Sequence, residues 1–484
     1  MTSVNANRVA AIPEKTSGGS AERRVAGLIC AWLVIQPWLI GGRFWWSEAL
    51  NTVVGVIGLA IALRSMESRR ALVRFPVFWL GLLFCGYVLC QALNPWGYAV
   101  QRVPELLLYD VYMSPHVAWL PSGLSANYVQ ESTWRTFVYW LGPWLLVCAW
   151  WVVVRRRRTG HRLALVAYLN GVVMAALVIF ERFHPPEKIL WFFTLPGLNA
   201  SSTGNGSFVD HNKTAAFLYL SMGAGLAVAC RLQAQARERG RDSGLTWVVL
   251  FGCLLIFASF FALGSRAGLA IACGVFVGGV IILLLAALLA RDRSPGLWLG
   301  CLVMLAGVVG LGVFEFYHRD TGTLARIDYL NHHQEEDVRA ILHRETIRML
   351  GPHFWLGWGG GTYRYVSPDF FVEDYAFNDP TYYGGQSAQS DWAHSDWLQI
   401  PMEFGIIGAS LSLAIMLFWY GRALWLVRAL GSSGLVILMT GAAMLTHSMV
   451  DFPIYNASIL ALFSLLLAST VKTAELDAQH MLKA

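Results

Sequence analysis

The chain has 484 residues and a mass of 53.7 kDa, and 56% of its residues are hydrophobic against 14% charged. Soluble domains are ordinarily about 45–50% apolar and about 25% charged, so this composition excludes a soluble enzyme. The formal net charge of +6 could suggest a nucleic-acid partner, but the basic residues lie between long apolar runs, where they act as topology signals. We therefore expect one membrane domain embedded in a lipid bilayer and no nucleic-acid partner.

Cysteine usage and the amino-terminal segment add two further limits. All eight cysteines lie inside or at the ends of apolar segments, so we predict neither a disulfide framework nor a CxxC metal site. Residues 1–24 are polar and lead into an apolar run without a small-residue cleavage site. That run is predicted to be a retained first span and not a cleaved signal peptide.

Apolar runs long enough to cross a hydrocarbon core of ~30 Å predict an all-α, polytopic membrane protein with about twelve transmembrane helices. The stretch 245–290 is too long for one span and is interrupted only by GSRAG, so it predicts a tight helical hairpin. The predicted spans lie near residues 25–41, 48–63, 75–93, 134–154, 163–181, 214–230, 246–263, 267–290, 296–315, 397–420, 435–450 and 454–471.

The distribution of basic residues predicts the orientation of these spans. With a cytoplasmic amino terminus, the inner segments hold 23 of the 36 Lys and Arg residues, although the outer segments are longer in total. This is the positive-inside pattern, and it fits two cytoplasmic termini. The predicted organisation is a cytoplasmic tail (1–24), transmembrane helices one to nine (25–315), a large outer loop (316–396), transmembrane helices ten to twelve (397–471) and a cytoplasmic tail (472–484).

Arginines on the outer side are candidates for binding an anion. Arg266 lies in GSRAG between two apolar spans, where a guanidinium needs an anion, a carbonyl cluster or lipid phosphates. It either snorkels to lipid phosphate or holds a phosphate of a lipid-linked substrate. DVRAILHRETIRML (337–350) predicts a helix with two pairs of side chains at i, i+4 spacing. These pairs either form a solvated face or supply further cations for the same anion: Arg339 with His343, and Arg344 with Arg348.

Polar residues open two predicted spans at their outer ends. In AHSDWLQIPMEFGIIG (393–408), His394 and Asp396 either cap the helix, or His394 is a general base, because imidazole exchanges its proton near neutral pH. In FVDHNKTAAFLYL (208–220), the simple interpretation is capping by Asp210 or Asn212. The alternative is that polar side chains of this stretch hydrogen-bond a sugar or a diphosphate, namely Asp210, His211, Asn212 and Lys213.

Other patterns in the outer loop are less specific. GWGGGTYRY (357–365) predicts a turn whose backbone approaches a neighbour closely, without the Lys and Ser/Thr of a P-loop. The many aromatic residues of the outer loop suit either stacking on sugar rings or an aromatic belt at the membrane interface. The histidines and acids at 332–337 have no fixed ligand spacing, so we predict no metal and no cofactor.

Five stretches, in this order, resemble the O-antigen ligase and polymerase superfamily of bacterial membrane glycosyltransferases: FVDHNKTAAFL, GSRAG, VRAILHRETIRMLGPHFWLGWGGGTY, HSDWLQIPMEFGIIG and THSMVDFPIYNASILALF. The resemblance covers roughly residues 205–470. It implies a GT-C-like fold in the bacterial inner membrane, with the large loop periplasmic and capping a cavity. It also implies a glycan donor linked through diphosphate to undecaprenol, and a saccharide acceptor that is either lipid A core or a growing polymer.

The resemblance also assigns roles to residues. Arg266 resembles the family's arginine at the hairpin tip, Arg339 its arginine in the outer-loop helix, and His394 its proposed catalytic histidine. By this hypothesis an acceptor hydroxyl, deprotonated or oriented by His394, attacks the anomeric carbon with inversion while the two arginines stabilise the leaving diphosphate without a metal. Two positions depart from the family pattern, at His343 and at the run 210–212. The substrate-binding candidates are His211, Asn212, Lys213, Arg344, His343 and Asp396; the second-rank candidates include Arg348 and Asp451.

Two rival functions follow from the same sequence. A secondary transporter or flippase of lipid-linked glycans would also have about twelve spans with cytoplasmic termini. Transporters place charged or helix-breaking residues near the bilayer midplane, whereas here charged residues are scarce inside the spans and plentiful in the outer loop. A structural or assembly scaffold is the third alternative, and it predicts tolerance of substitutions at Arg266, Arg339 and His394. The motifs themselves are shared by ligases, repeat-unit polymerases and protein-glycosylating enzymes.

Overall fold

The computed structural model describes residues 18–103, 108–194, 204–240, 243–291, 295–317, 338–371 and 390–482, and within these ranges it has fifteen α-helices and one small sheet. The helices are α1 (Gly18–Trp38), α2 (Trp45–Ala62), α3 (Met66–Val73), α4 (Pro76–Leu93), α5 (Thr133–Val153), α6 (Arg157–Phe183), α7 (His211–Glu238), α8 (Gly244–Leu263), α9 (Arg266–Leu289), α10 (Pro295–Tyr317), α11 (Val338–Leu350), α12 (Tyr363–Phe371), α13 (Asp396–Trp425), α14 (Val427–His447) and α15 (Ala457–Met481). The strands are β1 (Pro95–Val103), β2 (Leu108–Met113) and β3 (Gly123–Ser125).

Ten of the described helices are long and apolar enough to cross a membrane: α2, α4 to α9, and α13 to α15. The prediction of an all-α, polytopic membrane protein is therefore confirmed. Helices α1 and α10 coincide with the predicted first and ninth spans, and the apolar part of α10 is the shorter segment Leu297–Val313. The number of twelve spans and the GT-C-like arrangement stay predictions.

Helix α7 forms the centre of the bundle, since 83% of its most apolar window is buried. It packs against α6, α8, α9 and α14. Small residues allow this crowding, because helix backbones approach closely where side chains are short. A Cβ at Gly223 would lie 2.1 Å from Thr440 Oγ1 of α14, and one at Gly225 would lie 2.4 Å from the ring of Tyr168 of α6.

The predicted hairpin in the stretch 245–290 is present as α8 and α9. Gly264 ends α8 with a positive φ of 72°, a conformation that glycine adopts without steric cost. Ser265 then caps α9, its hydroxyl accepting from the amide of Gly268 at 3.0 Å. The hairpin tip is fixed to the start of α7, because Ser265 donates to Asn212 Oδ1 at 2.6 Å.

A small sheet lies between α4 and α5, in the connection between two predicted spans, where no strand was predicted. Its strand order is β2-β1-β3, with β1 and β2 antiparallel and β1 and β3 parallel. Together with α11, α12 and the start of α13, the sheet encloses a second hydrophobic cluster, whose buried members include Trp96, Leu124, Met349, Tyr363 and Met402. This cluster forms a cap beside the end of the bundle at which α5 and α13 begin.

The predicted Gly-rich turn braces a break in α13. Gly405 has φ 62° and ψ −179°, which interrupts the helix and leaves backbone groups without their helical partners. The amide of Ile406 donates instead to the carbonyl of Phe354 at 2.9 Å. The carbonyl of Glu403 accepts from the amide of Gly359 at 2.8 Å. The close neighbour of the turn is thus the protein's own backbone, whose hydrogen bonds it completes.

Candidate active site

A cavity of about 290 Å³ lies at the end of the bundle where α2, α5, α7, α13 and α15 all begin. Its lining combines cations, carboxylates, aromatic rings and one histidine. The lining residues are Ile40, Gly42, Arg43, Glu48, Glu131, Arg135, Thr136, Tyr139, Phe208, Val209, Asp210, Lys213, Gly361, Asp391, Trp392, His394, Phe452, Tyr455 and Asn456. Such a mixture of aromatic walls and a few converging polar groups is typical of a small-molecule site.

His394 lies directly before α13 and has a carboxylate behind its ring. Its Nδ1 is 3.6 Å from Oδ1 of Asp451, an ion-pair distance longer than a hydrogen bond. The same oxygen accepts the amide of Phe452 at 2.9 Å, which fixes the carboxylate. His394 itself has a φ of 51°, an uncommon conformation for a residue other than glycine and one found mainly at functional sites. A contact of 3.1 Å between His343 Nε2 and the His394 carbonyl also constrains this loop.

Asp451 is a buried carboxylate whose pKa is lowered. Burial alone would raise this pKa, but the contacts with His394 and His447 and the charge of Arg339 outweigh burial. His447 Nε2 lies 3.9 Å from Oδ2 of Asp451, and its Nδ1 lies 3.2 Å from the hydroxyl of Tyr219. A carboxylate that stays charged beside an imidazole can orient the ring and stabilise its protonated form.

The cationic side of the cavity consists of Arg43 and Lys213. Lys213 Nζ lies 4.2 Å from the ring centroid of Phe452 and 5.5 Å from that of Trp392, so the two rings hold the ammonium by cation–π attraction. Trp392 stacks on Phe452 with a centroid distance of 5.0 Å and an interplanar angle of 11°. The ammonium is thus held in position beside His394 by residues that line the same cavity.

The acidic side of the cavity consists of Glu131 and Asp391, both of which pair with Arg364. Arg364 Nη2 lies 3.0 Å from Glu131 Oε2 and 3.3 Å from Asp391 Oδ2. Burial raises the pKa of Asp391, the Arg364 charge opposes this, and neighbouring Glu131 adds to the rise. A second buried ion pair also lines the cavity: Arg135 donates to both oxygens of Glu48 at 2.7 Å.

The structure brings some of the candidate residues to this cavity. His394 and Lys213 line it, whereas Arg339 acts electrostatically on Asp451 behind the histidine. Asp210 lines the cavity and also caps α7, accepting from the Asn212 amide at 2.7 Å, as the capping interpretation predicted.

Other candidates lie outside the cavity lining. Arg266 begins α9 at the exposed hairpin tip, and His211 begins α7. Arg344 and Arg348 both pair with buried Glu345, at 3.1 and 2.9 Å, as in a charged helix face. Asp396 is buried, and its carboxylate accepts the amide of Ile454 at 3.0 Å. This contact joins the start of α13 to the turn before α15, so the expectation that Asp396 caps its own helix is wrong. The stretch 332–337 lies outside the described residues.

The sequence analysis did not single out most of the charged residues of the cavity: Arg43, Glu48, Glu131, Arg135 and Asp391. One signal was available, because Glu48 and Arg135 stand within otherwise apolar spans, where ionisable residues are rare and commonly paired. Nothing local in the sequence linked the others, since they come from separate loops.

The apolar bundle and the charged cavity at its end define a polytopic membrane protein whose candidate chemistry lies at one end of its helices. Residues 251–413 match the family model described as O-antigen ligase. This match confirms the resemblance to the O-antigen ligase and polymerase superfamily, a family with glycosyltransferase-type activity. The matched range includes Arg266, Arg339 and His394, while Lys213 and Asp451 lie on either side of it. A search of curated proteins found no match to the chain.

Proposed function

We propose that the protein is an inverting, metal-independent glycosyltransferase of the O-antigen ligase or polysaccharide polymerase type. It would move a glycan from undecaprenyl diphosphate to an acceptor hydroxyl on the periplasmic face of the inner membrane. The observation that carries the proposal is the His394–Asp451 pair in a cavity that also holds Lys213 and Arg43, within a chain that matches the O-antigen ligase family.

In this proposal His394 removes the proton from the acceptor hydroxyl. Its Nδ1 faces Asp451, so Nε2 is the atom that would meet the substrate. As the hydroxyl oxygen bonds to the anomeric carbon, the bond from that carbon to the diphosphate oxygen breaks, and the proton stays on the imidazole. The Asp451 carboxylate stabilises the imidazolium formed in this way.

The leaving diphosphate gains negative charge as its bond breaks, and nearby cations would stabilise it. Lys213 and Arg43 line the cavity, and Arg339 acts on Asp451 behind His394. Arg266 is proposed to approach the same diphosphate from the hairpin tip. Ser265 ties this tip to Asn212, the residue directly before Lys213 in α7. Five helices begin around the cavity, and their amino-terminal dipoles add positive potential. Cations in this number can neutralise a diphosphate without a divalent metal.

The proposed orientation puts the cavity in the periplasm and both termini in the cytoplasm. It is supported by a cluster of basic residues at the opposite end of the bundle from the cavity. Residues from α1, the connection between α5 and α6, α6 and α15 surround one depression there: Arg23, Arg156, Arg157, Arg158, Arg162 and His480. This concentration is the positive-inside pattern expected of a cytoplasmic face. The domain boundaries predicted from the sequence accompany this orientation.

Transfer by the purified protein in nanodiscs tests the proposal, with an undecaprenyl-diphosphate glycan as donor and candidate saccharide acceptors. Product length and released lipid diphosphate are both measured. His394→Ala should reduce the rate by about 10²–10⁴-fold, the usual contribution of a general base. Arg266→Ala and Arg339→Ala should each cost on the order of 100-fold, as loss of a charge-stabilising donor does.

Two exposed residues of the small sheet region supply matched controls. His116→Ala and Arg102→Ala remove the same side-chain types away from the cavity and should retain near wild-type rates. One added glycan would indicate a ligase, and a ladder of products would indicate a polymerase. If wild-type protein releases no lipid diphosphate with any donor, the transporter or flippase alternative is favoured. Full activity of the His394 variant would contradict its assignment as the base.

A further inference from the structure

The lining of the cavity beside His394 carries charges of both signs. The cationic side, Arg43 and Lys213, suits a diphosphate, whereas the acidic side, Glu131 and Asp391, would repel one; Asp210, three residues before Lys213 in the sequence, is a third lining carboxylate. The two sides are close enough to interact electrostatically. Burial raises the pKa of Asp391 overall, and the charges of Arg43 and Lys213 each oppose that rise. A negatively charged group and an uncharged polar group could therefore bind next to each other in this one cavity.

The geometry of the acidic side points its carboxylates toward the cavity. Glu131 and Asp391 line the cavity and keep 20% and 25% of their side chains exposed, whereas Arg364 is 10% exposed and is absent from the lining. The guanidinium thus holds both carboxylates from behind.

The surroundings of Asp391 suit a sugar. Trp392 follows it in the same loop and packs with Phe452 and Tyr455 at centroid distances of 5.0 and 5.3 Å, forming an aromatic surface on the cavity. Carboxylate oxygens accept hydrogen bonds from hydroxyl groups, and aromatic rings cover the apolar faces of a sugar ring. His394 lies three residues after Asp391 in the same loop. A sugar held by Asp391 would therefore present a hydroxyl near the imidazole.

We propose that Glu131 and Asp391 bind hydroxyl groups of the acceptor sugar and make the enzyme specific for an acceptor that is uncharged around its attacking hydroxyl. This inference rests on the proposed glycosyltransferase function and adds the acceptor class to it. The donor diphosphate binds the cationic side, so the two substrates meet at His394 with their charges separated. An acceptor sugar that carries a carboxylate or phosphate next to the attacking hydroxyl is repelled by the acidic side.

The test compares wild type with Asp391→Asn and Glu131→Gln, which keep the shape of each side chain and remove its charge. A hydrogen bond to a charged acceptor is about twice as strong as one to a neutral acceptor, so the acceptor KM should rise about fivefold or more. The donor KM should change less than twofold. Wild type should prefer a neutral acceptor over its uronic-acid counterpart, and each variant should reduce that preference by a similar factor. Asp110→Asn, in an exposed ion pair of the sheet, is the matched control and should change neither quantity.

Each outcome separates this inference from the proposed function. Wild-type activity with an unchanged acceptor KM and unchanged preference in both variants overturns the inference while the glycosyltransferase function stands. A rise in the donor KM in place of the acceptor KM also overturns it, because the carboxylates then serve the donor glycan. Equal losses for both substrates, with a lower melting temperature, would show that the two acids only anchor Arg364. If wild type transfers no glycan, the proposed function itself fails.

Discussion

Replacement of Asp451 by asparagine tests the histidine–carboxylate pair most directly. The variant keeps an oxygen that can accept the amide of Phe452, so the turn before α15 retains its 2.9 Å hydrogen bond. It removes the negative charge that lies 3.6 Å from Nδ1 of His394. The change therefore acts on the electrostatics of the imidazole more than on the fold.

The magnitude follows from that distance. Two unit charges 3.6 Å apart attract by about 4–5 kcal/mol at an effective dielectric constant of about 20, and by about 1 kcal/mol in water. The side chain of His394 is 32% exposed and that of Asp451 is 4% exposed, so solvent screens part of the attraction. We take about 1–2 kcal/mol, which corresponds to a change in rate of about 5–30-fold.

The direction of the effect follows from the charge of Asp451. The lowered pKa of Asp451 means that its carboxylate stays charged until the pH falls well below the ordinary range of aspartate, so it is ionised throughout an assay near neutral pH. Because that charge stabilises the imidazolium formed as the acceptor proton is removed, its loss should lower kcat/KM by that factor. Loss of the orienting partner of the ring adds to the reduction.

The rate of glycan transfer near neutral pH in nanodiscs checks this prediction. Asp110→Asn, in an exposed ion pair with Arg102, serves as the control and should leave kcat/KM unchanged. Asp451→Glu should restore part of the rate, because it returns the charge. An undiminished kcat/KM in Asp451→Asn would refute the coupling of the two side chains.

Three further predictions concern stability and metal dependence. Gly405→Ala should lower the melting temperature strongly, because its Cβ would lie 2.3 Å from a backbone carbonyl oxygen. Gly431 has a similar positive φ but open space around it, so Gly431→Ala should lower the melting temperature less. Equal effects of the two variants would exclude the clash as the cause. Arg135→Met leaves Glu48 buried without its ion-pair partner and should cost about 3–5 kcal/mol of folding free energy. Arg102→Met removes the arginine of an exposed pair and should have little effect. Chemical unfolding measures the stability of both variants. Glycan transfer should persist in excess chelator, and loss of activity that magnesium restores would contradict the metal-independent mechanism.

The sequence alone determined the long apolar helices and the resemblance to a family. Long apolar runs are a local property, and each predicted span coincides with a helix of the described chain, including the hairpin around Ser265. Order of motifs along the chain sufficed for the resemblance that the match over 251–413 confirms. The polar residues at the start of two predicted spans also indicated the site, because His394 and Lys213 both line the cavity.

Only the tertiary structure decided which charged residues meet. Glu48 and Arg135 are 87 positions apart, and the pairing of Asp391 with Arg364 joins a loop to a separate helix. The sheet was missed for a similar reason: β3 has three residues and pairs in parallel with β1, a contact that depends on where α4 ends and α5 begins. Hydrophobic periodicity reports which face of a segment is buried, but it carries no information about which distant segment covers that face. Packing between helices and loops that are remote in the chain therefore decided which residues line the cavity.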